Sequence, residues 1–465
     1  MNVLAVNVSI RPESKVSYFP LGLAYIASAI KSCEYDLEIL DIDANRYPDS
    51  YLVDYFRKNK FDVVCMGCIV TGYKYVKKMA EIIREFNPNA RIIVGNSVAS
   101  SIPDILLTGT NADIAVIGEG DITIIEVLNA LKASRGLEGI RGIAYKKDGK
   151  VIKNPPREPI EDIDTIPFPD WDLFDMEKYI QSISQYGASD PLPFPREKAR
   201  AFTISTARGC PFKCTFCYQV FRDVKYRCIS PAVLVNELKR LKEKYRINYF
   251  IFHDDLSIFS KKHAQELAET LLREKADVYW VADCRANLFK ADSDLELARL
   301  LKSAGCVGLG YSLENASRDI LKMMNKNIDP EDFVRQAHIL DKAGLCSWTS
   351  LVFGYPQETK ETIKMTIEYC IKSGIYPSAG FLLVQPGTPM YEYAIEHGYI
   401  KDEEDYLMKL GDRQDFRMNM TKMSDEEFKK AVADAMEECN KRLNLNLKKA
   451  ELMKTGYYRS PKKIA

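Results

Sequence analysis

The chain has 465 residues, a length that exceeds one ordinary domain and predicts two or three folding units. Apolar residues make up 46% and charged residues 28%, a globular composition that excludes a largely disordered chain. Lysine plus arginine and aspartate plus glutamate are both 65, so the formal net charge is zero. Without a basic field we expect no nucleic acid or membrane partner, and a small-molecule or peptide substrate fits better.

The first residues, MNVLAVNVSIRPES, lack the basic and apolar regions of a signal peptide. No apolar run approaches the roughly 20 residues that a membrane-spanning helix needs. Twelve cysteines without regular spacing indicate reduced thiols or metal ligands and not a disulfide framework. These features predict a cytoplasmic protein.

Short apolar segments alternate with amphipathic ones in residues 1–136. The strand candidates are VLAVNVSI, YDLEILDID, FDVVCMGCIV, RIIVGN and ADIAVIGEG, and the clearest helices are GLAYIASAIKSC and KKMAEIIREF. This alternation predicts an α/β fold, a doubly wound parallel sheet that binds its ligand at the carboxyl ends of the strands.

Residues 137–199 predict a hairpin followed by an extended connector. The hairpin candidate is GIAYKKDGKVI, and proline then recurs at Pro155, Pro156, Pro159, Pro167, Pro169, Pro191, Pro193 and Pro195. Proline at that density favours extended backbone.

Strand candidates resume in residues 200–400, where each is followed by a loop and most then by a helix. The six candidates are ARAFTISTA, YFIFHD, VYWVADC, CVGLGYSLE, WTSLVFG and GFLLVQP. They predict a partial barrel of parallel strands with an active site at the strand carboxyl ends. Residues 401–465 are predicted to be mostly helical, with Ser424 as an N-cap and Glu427 completing a capping box.

Three cysteines share one short loop after the first strand of the predicted barrel. The segment reads A-R-G-C-P-F-K-C-T-F-C-Y, which places thiols at Cys210, Cys214 and Cys217. Three thiolates can hold three irons of a cubane cluster and leave the fourth iron open to a chelating ligand. The alternative is a zinc loop or a set of buried thiols, although no fourth zinc ligand is evident nearby.

The C-x-x-x-C-x-x-C loop after strand one of a six-unit barrel resembles the radical S-adenosylmethionine (SAM) superfamily. The resemblance implies a 4Fe-4S cluster on the three cysteines that cleaves SAM reductively and yields a 5′-deoxyadenosyl radical. It also implies an electron donor of the flavodoxin or ferredoxin type. Phe216, just before the last cysteine, matches an aromatic residue that packs near the adenine in that family.

The same resemblance assigns polar residues at later strand ends to SAM. Asp254, with Asp255 beside it, would lie near the methionine amino group, and Arg285 would contact the carboxylate. Ser312 and Glu314 resemble the family's ribose and carboxylate contacts. At each position the alternative is a structural ion pair or a helix cap.

The fifth strand candidate ends in GYPQET, close to the G-x-P-G-E-T of the family, and the sixth ends in QPGTPMY, another element of the same subgroup. Gln357 stands where glycine is common, a departure that we expect to alter only the loop.

A flavodoxin-like domain, a proline-rich connector and this barrel together resemble the cobalamin-binding subgroup of the superfamily. The resemblance implies cobalamin bound at Gly95, Gly118, Glu119 and Gly120, since strand-end glycines let a large planar ligand approach the backbone. The alternative is that these glycines only form tight turns. No histidine precedes His253, so a corrinoid would bind without a histidine lower ligand.

Two further features have a simple packing interpretation. Cys65 and Cys68 form a C-x-x-C on an apolar strand, where buried thiols are favoured over a redox pair or a second cluster. His253 would lie near the cofactor, but packing at a strand end is favoured over catalysis.

Three classes of function stay open from the sequence. They are a cobalamin-dependent C-methyltransferase, a radical enzyme that rearranges, cyclises or dehydrates without methyl transfer, and a non-catalytic electron-transfer or assembly protein. The resemblance favours the first, with cobalamin between the two domains and methyl transfer to a substrate carbon. The third is least favoured, because an electron carrier would need a closed cluster and no barrel with polar strand ends. The sequence does not identify the substrate.

Overall fold

The computed structural model describes residues 1–188 and 192–453. Pro191 of the predicted connector and residues 454–465 of the predicted C-terminal region lie outside the described residues. The chain forms two compact units that interleave along the sequence. The first unit comprises Met1–Ser182, Tyr218–Val224 and Gln385–Gly411, and the second comprises Ile183–Cys217, Lys225–Val384 and the described chain from Asp412 on. The domain limits at residues 136, 199 and 400 stay predictions.

The first unit is built on one seven-stranded sheet. Its strands are β1 (Asn2–Asn7), β2 (Asp36–Asp41), β3 (Val63–Gly67), β4 (Arg91–Gly95), β5 (Ile114–Val116), β6 (Ile143–Lys147) and β7 (Lys150–Lys153). Its helices are α1 (Leu21–Ser32), α2 (Ile42–Asn45), α3 (Asp49–Lys58), α4 (Tyr73–Phe86), α5 (Asn96–Ser101), α6 (Pro103–Gly109), α7 (Thr123–Lys132), α8 (Met176–Ser182), α15 (Pro389–Glu396) and α16 (Glu403–Lys409).

The strand order is β2-β1-β3-β4-β5-β6-β7, and β1 to β5 are parallel. Such strands are covered on both faces, which is why β1 and β4 are almost wholly buried apolar runs. The order 2-1-3-4-5 is flavodoxin-like and reverses direction between β1 and β3, where ligands of this fold bind. The prediction of a doubly wound parallel sheet is confirmed.

The predicted hairpin is present, but it extends the sheet and does not lie apart in the connector. Strand β6 pairs antiparallel with β5, and β7 pairs antiparallel with β6. Asp148 and Gly149 form the turn with φ angles of 50° and 76°, as the two central residues of a type I′ turn require. The apolar side of β6 therefore belongs to the core of the first unit.

The second unit contains the barrel strands. They are β8 (Ala201–Ile204), β9 (Ala207–Arg208), β10 (Arg227–Cys228), β11 (Tyr249–Phe252), β12 (Tyr279–Asp283), β13 (Cys306–Gly310), β14 (Cys346–Trp348), β15 (Ser350–Phe353) and β16 (Ser378–Phe381). The helices are α9 (Pro231–Tyr245), α10 (Lys261–Arg273), α11 (Asp294–Ser303), α12 (Arg318–Met323), α13 (Pro330–Lys342), α14 (Lys360–Ser373) and α17 (Asp425–Arg442).

Strands β8, β11, β12, β13 and β14 form a parallel sheet in that spatial order, and β15 pairs in parallel with β16. The fifth predicted strand is thus two short strands separated at Thr349, whose hydroxyl accepts a hydrogen bond from the amide of Leu313. A single parallel bridge between Glu314 and Leu351 links the two groups of strands. The succession of parallel strands and helices confirms the partial barrel.

The predicted capping box of the C-terminal region is present at the start of α17. Ser424 accepts a hydrogen bond from the amide of Glu427, and the Glu427 carboxylate accepts one from the amide of Ser424. Across residues 1–188 and 192–453, no helix combines the length and the apolar character needed to cross a membrane.

Gly305 and Gly344 provide a matched test of the turns that lead from helix to strand. Both follow the last residue of a helix by two positions and have positive φ, 87° and 74°. A Cβ at Gly305 would overlap the carbonyl oxygen of Val278, whereas one at Gly344 would meet nothing within 4 Å. We expect Gly344→Ala to lower the free energy of unfolding by about 1 kcal/mol and Gly305→Ala by about 3 kcal/mol, measured by urea denaturation. Equal losses would contradict the tight approach to Val278.

Candidate active site

Cys210, Cys214 and Cys217 lie on the loop between β9 and β10, whose antiparallel pairing joins the two ends of the loop. None of the twelve cysteines forms a disulfide. Burial raises the pKa of the Cys217 thiol to about 12 and also raises that of Cys210, with further contributions from Asp255 and Cys214 in both cases. The three thiols are therefore within electrostatic range of one another.

The donor set fits an iron-sulfur cluster better than a single metal ion. In the described ranges, no three His, Cys, Asp or Glu side chains converge closely enough to hold one ion. A cubane does not require this convergence, because each thiolate binds a different iron. Three thiolates on one loop would leave one iron open, whereas structural zinc needs four converging ligands.

The turn after α12 holds the middle of the cysteine loop. The Thr215 amide donates to the carbonyl of Met324 at 2.9 Å, and its hydroxyl donates to the carbonyl of Met323 at 2.9 Å. Asn325 Nδ2 donates to the carbonyl of Lys213, also at 2.9 Å. The loop is therefore fixed by backbone groups more than 100 residues away, a contact that no local pattern in the sequence indicates.

The carboxylate of Asp254 holds neighbouring strand ends together. It accepts five hydrogen bonds, from the amides of Thr206 and Ala207 and from the hydroxyls of Ser205, Thr206 and Ser257. A carboxylate offers about four lone-pair sites, so these donors occupy its acceptor capacity. The contact of Asp254 with SAM that the resemblance implies stays a prediction.

Asp255 offers the free carboxylate at this strand end. Its side chain is exposed to solvent although many protein atoms surround it, and burial with the charge of Asp254 raises its pKa to about 6. Its charge raises the pKa of both Cys210 and Cys217, which indicates that it lies near the cluster thiols. The sequence analysis named both aspartates, and the geometry separates their roles.

Arg285 lies against the cysteine loop. Its guanidinium carbon is 3.6 Å from the ring centroid of Phe212, and the side chain hydrogen-bonds to Cys214. Burial lowers its pKa, while the charges of Cys214 and Cys210 oppose that shift. Its Nη2 atom is buried without a hydrogen-bond partner in the described part of the chain. A buried guanidinium donor left unpaired is suited to an anionic ligand such as a carboxylate.

Glu314 is pinned in place by β15. Its amide donates to the carbonyl of Ser350, and its carbonyl accepts from the amide of Val352, while φ is 61°. The carboxylate is 7% exposed and pairs with Lys326 at 2.9 Å. Ser312, two residues earlier, is half-buried, and its hydroxyl makes no hydrogen bond within the described residues.

Lys326 is a site residue that the sequence analysis missed. Its ammonium is 11% exposed, pairs with Glu314, and lies 6.0 Å from the ring centroid of the half-buried Phe216. Its charge also lowers the pKa of Cys217, against the larger effect of burial. Because the pair bridges two separate turns, only the folded chain brings the two charges together.

The GYPQET segment binds the residue after Glu314 through the buried Glu358. Glu358 is 1% exposed and accepts hydrogen bonds from Asn315 Nδ2, the Gly354 amide and the Thr362 hydroxyl. Burial raises its pKa to about 7. Gln357 is exposed, so its replacement of the usual glycine alters only the loop surface.

In the first unit, Gly95 and Gly118 border open space at the carboxyl edge of the sheet. A Cβ at either position would meet nothing within 4 Å. The two loops are joined to their neighbours through serines, since Ser97 accepts from the Val70 amide and Ser100 accepts from the Gly118 amide. This edge has the room and the firm backbone that a large planar ligand requires.

Glu119 and Gly120 have structural contacts that the sequence analysis did not foresee. The carboxylate of Glu119 is buried and accepts from the amide of Ile160 at 2.7 Å, so it holds the connector. A Cβ at Gly120 would lie 2.7 Å from Cδ1 of Ile26, so this glycine permits close packing on α1. Both residues have these contacts within the fold, and their contact with cobalamin stays a prediction.

Three large apolar side chains are exposed in the segments that follow β1, β3 and β5. Tyr18, Ile69 and Ile122 are 41%, 39% and 46% exposed. Large apolar side chains exposed at a ligand-binding edge can contribute to a surface that an apolar ligand covers.

Cys65, Cys68 and His253 show no sign of reactivity. Burial raises the pKa of the Cys65 and Cys68 thiols to about 12, which suppresses the thiolate form. Burial lowers the pKa of His253, and the charge of Asp254 opposes the shift.

The buried Glu358 predicts a pH effect on stability. A raised pKa means that the folded chain binds the proton more tightly, so this contribution is full below the unfolded value of 4.5 and is lost as pH rises through about 7. Between pH 5 and pH 8, the free energy of unfolding of Glu358→Gln should rise by about 2–3 kcal/mol relative to that of the parent protein. Urea denaturation of both proteins at the two pH values measures this, with the exposed Glu243→Gln as control. A pH-independent difference would contradict it.

Two family models match the chain. Residues 204–370 match the family model of the radical SAM superfamily, and residues 10–128 match that of the B12 binding domain. An uncharacterised methyltransferase from Pyrococcus horikoshii is 32% identical over 384 residues, which cover 82% of this chain and 79% of the relative. An anaerobic magnesium-protoporphyrin IX monomethyl ester cyclase from Rubrivivax gelatinosus is 28% identical over 355 residues, which cover 75% of this chain and 61% of the cyclase.

Among solved structures, the radical SAM methyltransferase TsrM from Kitasatospora setae, with cobalamin and a 4Fe-4S cluster bound, matches with a TM-score of 0.65. The sequence identity is 22%, and the match covers 85% of this chain and 75% of that one, which shows a shared fold. Together with the two family matches and the relative at 32% identity, this confirms the resemblance found in the sequence. The chain belongs to the radical S-adenosylmethionine superfamily, in the group that carries a B12-binding domain.

Proposed function

We propose that the chain is a radical SAM enzyme that methylates a carbon atom of a small-molecule or peptide substrate with cobalamin as a cofactor. The observation that carries the proposal is a three-cysteine loop and a B12-binding domain in one chain. The cluster would supply the electron that cleaves SAM, and cobalamin would carry the methyl group. The methyltransferase relative is matched over 79% of its length and the cyclase over 61%, which favours methyl transfer over cyclisation.

In the second unit, Cys210, Cys214 and Cys217 would hold the cluster, and a flavodoxin- or ferredoxin-type protein would reduce it. The buried Nη2 of Arg285 would donate to the SAM carboxylate, since that atom has no other partner among the described residues. Asp255, and not Asp254, would accept from the methionine amino group.

Ser312 and Glu314 would hold the ribose of SAM, and Phe216 would pack near the adenine. Glu314 is fixed at its backbone by β15, and its carboxylate is held by the ion pair with Lys326 at 2.9 Å. A carboxylate that is already oriented loses little entropy when it accepts a ribose hydroxyl.

In the first unit, Gly95 and Gly118 would let the corrin approach the backbone, with Tyr18, Ile69 and Ile122 as apolar cover. No histidine occurs before His253, so residues 1–182 of this unit would supply no histidine to the cobalt.

The cluster assignment predicts a clear difference between two groups of cysteines. Cys210→Ala, Cys214→Ala and Cys217→Ala should each abolish the iron-sulfur absorbance and the formation of 5′-deoxyadenosine, because each removes one of three iron ligands. Cys65→Ala and Cys68→Ala are the controls and should retain both signals. Full iron loading in the variant that lacks all three loop cysteines would contradict the assignment.

The cobalamin assignment predicts that filling the space above Gly95 displaces the corrinoid. Gly95 has an ordinary φ of −124° and open space around it, so Gly95→Leu should fold. Retention of hydroxocobalamin on gel filtration should fall at least about tenfold with iron content unchanged. Gly139→Leu is the matched control, since a Cβ there also meets nothing within 4 Å.

Methyl transfer itself is tested by anaerobic turnover with methyl-labelled SAM and candidate extracts. We expect label on a carbon atom of the product and none when cobalamin is omitted. Corrinoid that fails to co-purify with the parent protein, or product without label, would leave rearrangement, cyclisation or dehydration as the function.

A further inference from the structure

A carboxylate and an indole share one layer of the parallel sheet in the second unit. Asp283, Gly310 and Trp348 are direct neighbours across β12, β13 and β14. Since side chains alternate along a strand, these three positions share a face, opposite to the wholly buried Ala282 and Leu309. Asp283 and Trp348 are only half-buried, so their face borders accessible space.

Two glycines of β13 leave room for the indole of Trp348. A Cβ at Gly308 would lie 3.0 Å from Cζ3 of the indole, and a Cβ at Gly310 would overlap its Nε1. The same Cβ at Gly310 would overlap Oδ1 of Asp283. The two glycines thus let the ring and the carboxylate meet over β13.

Asp283 has no cationic partner among the described residues. The indole N–H of Trp348 donates to its carboxylate, whereas burial and the charge of Asp254 raise its pKa to about 6. An acid kept inside a protein without a cation is unfavourable for folding and is typical of functional sites.

We propose that Asp283 and Trp348 form the part of the substrate site that binds a cationic nitrogen of the substrate. The flat ring attracts a cation through its π face, and the adjoining carboxylate forms a charge-assisted hydrogen bond with the same group. The substrate class is therefore a small molecule or peptide that carries a protonated amine. This assignment rests on the proposed function only in that the ligand is the substrate.

The test compares benzylamine with the neutral benzyl alcohol. Calorimetric titration uses the anaerobically reconstituted enzyme with SAM and without reductant, so that no turnover is needed. We expect the parent protein to bind the amine at least about tenfold more tightly than the alcohol. Asp283→Asn keeps the acceptor for the indole and should lose this preference, whereas the exposed Asp292→Asn should retain it. Trp348→Phe should weaken amine binding and keep part of the preference.

Equal binding of amine and alcohol by the parent protein would overturn the proposal, and so would a preference that persists in Asp283→Asn. A loss of SAM affinity in Asp283→Asn with the preference unchanged would assign the layer to SAM and also overturn it. Because the titration does not depend on turnover, absence of methylated product would contradict the proposed function while leaving this result intact.

Discussion

The carboxylate of Asp254 ties together the strand ends on which the second unit's site depends. It follows β11, yet four of its five hydrogen-bond donors come from Ser205, Thr206 and Ala207, at the end of β8 and the start of β9. Hydrogen bonds to a charged group contribute about 1.5–3 kcal/mol each, so the set outweighs the cost of burying the acid. Since β9 leads directly into the cysteine loop, the same carboxylate fixes where that loop begins.

The rest of the site depends on two more distant constraints of the same kind. The turn after α12 binds the middle of the cysteine loop through Thr215, and β15 pins Glu314 through two backbone hydrogen bonds. The loop, Arg285 and Glu314 thus belong to separate strand-end segments but are held to one another by groups that do not themselves react. Backbone contacts of this sort keep a site in place without occupying the side chains that a ligand needs.

The strand succession and the cysteine loop could be predicted from the sequence because both are local patterns. Apolar runs that end in glycine mark β3 and β4, and the spacing of Cys210, Cys214 and Cys217 is itself the signal. The individual polar contacts could not be predicted, because each depends on a partner far along the chain. Glu119 meets the amide of Ile160, and Glu314 meets Lys326 in another turn.

Two adjacent acids show most clearly why the polar contacts could not be predicted from the sequence. Asp254 and Asp255 are the same residue type at consecutive positions, and nothing in the sequence distinguishes them. Backbone direction does, because one carboxylate turns toward the amides of Thr206 and Ala207 while the other stays open to solvent. Glu119 and Gly120 differ from Gly118 for a similar reason. The Ile160 amide donates to Glu119 and Ile26 packs against Gly120, whereas a Cβ at Gly118 would meet nothing within 4 Å.

The balance of charge in the second unit follows from these contacts. Asp255 and Asp283 each have a pKa raised to about 6, and in both cases burial acts first and the fixed charge of Asp254 second. Five donors surround the carboxylate of Asp254, whereas the two acids on which its charge acts have few donors of their own. Of the basic groups at the site, Lys326 is occupied by Glu314, and Arg285 lies against Phe212 and Cys214. A ligand that brings positive charge to either acid would relieve this repulsion. SAM carries an ammonium group and a sulfonium centre, and in our proposal the ammonium group meets Asp255. In the same proposal a cationic nitrogen of the substrate meets Asp283, so the charge of Asp254, a residue that touches neither ligand, bears on the choice of substrate.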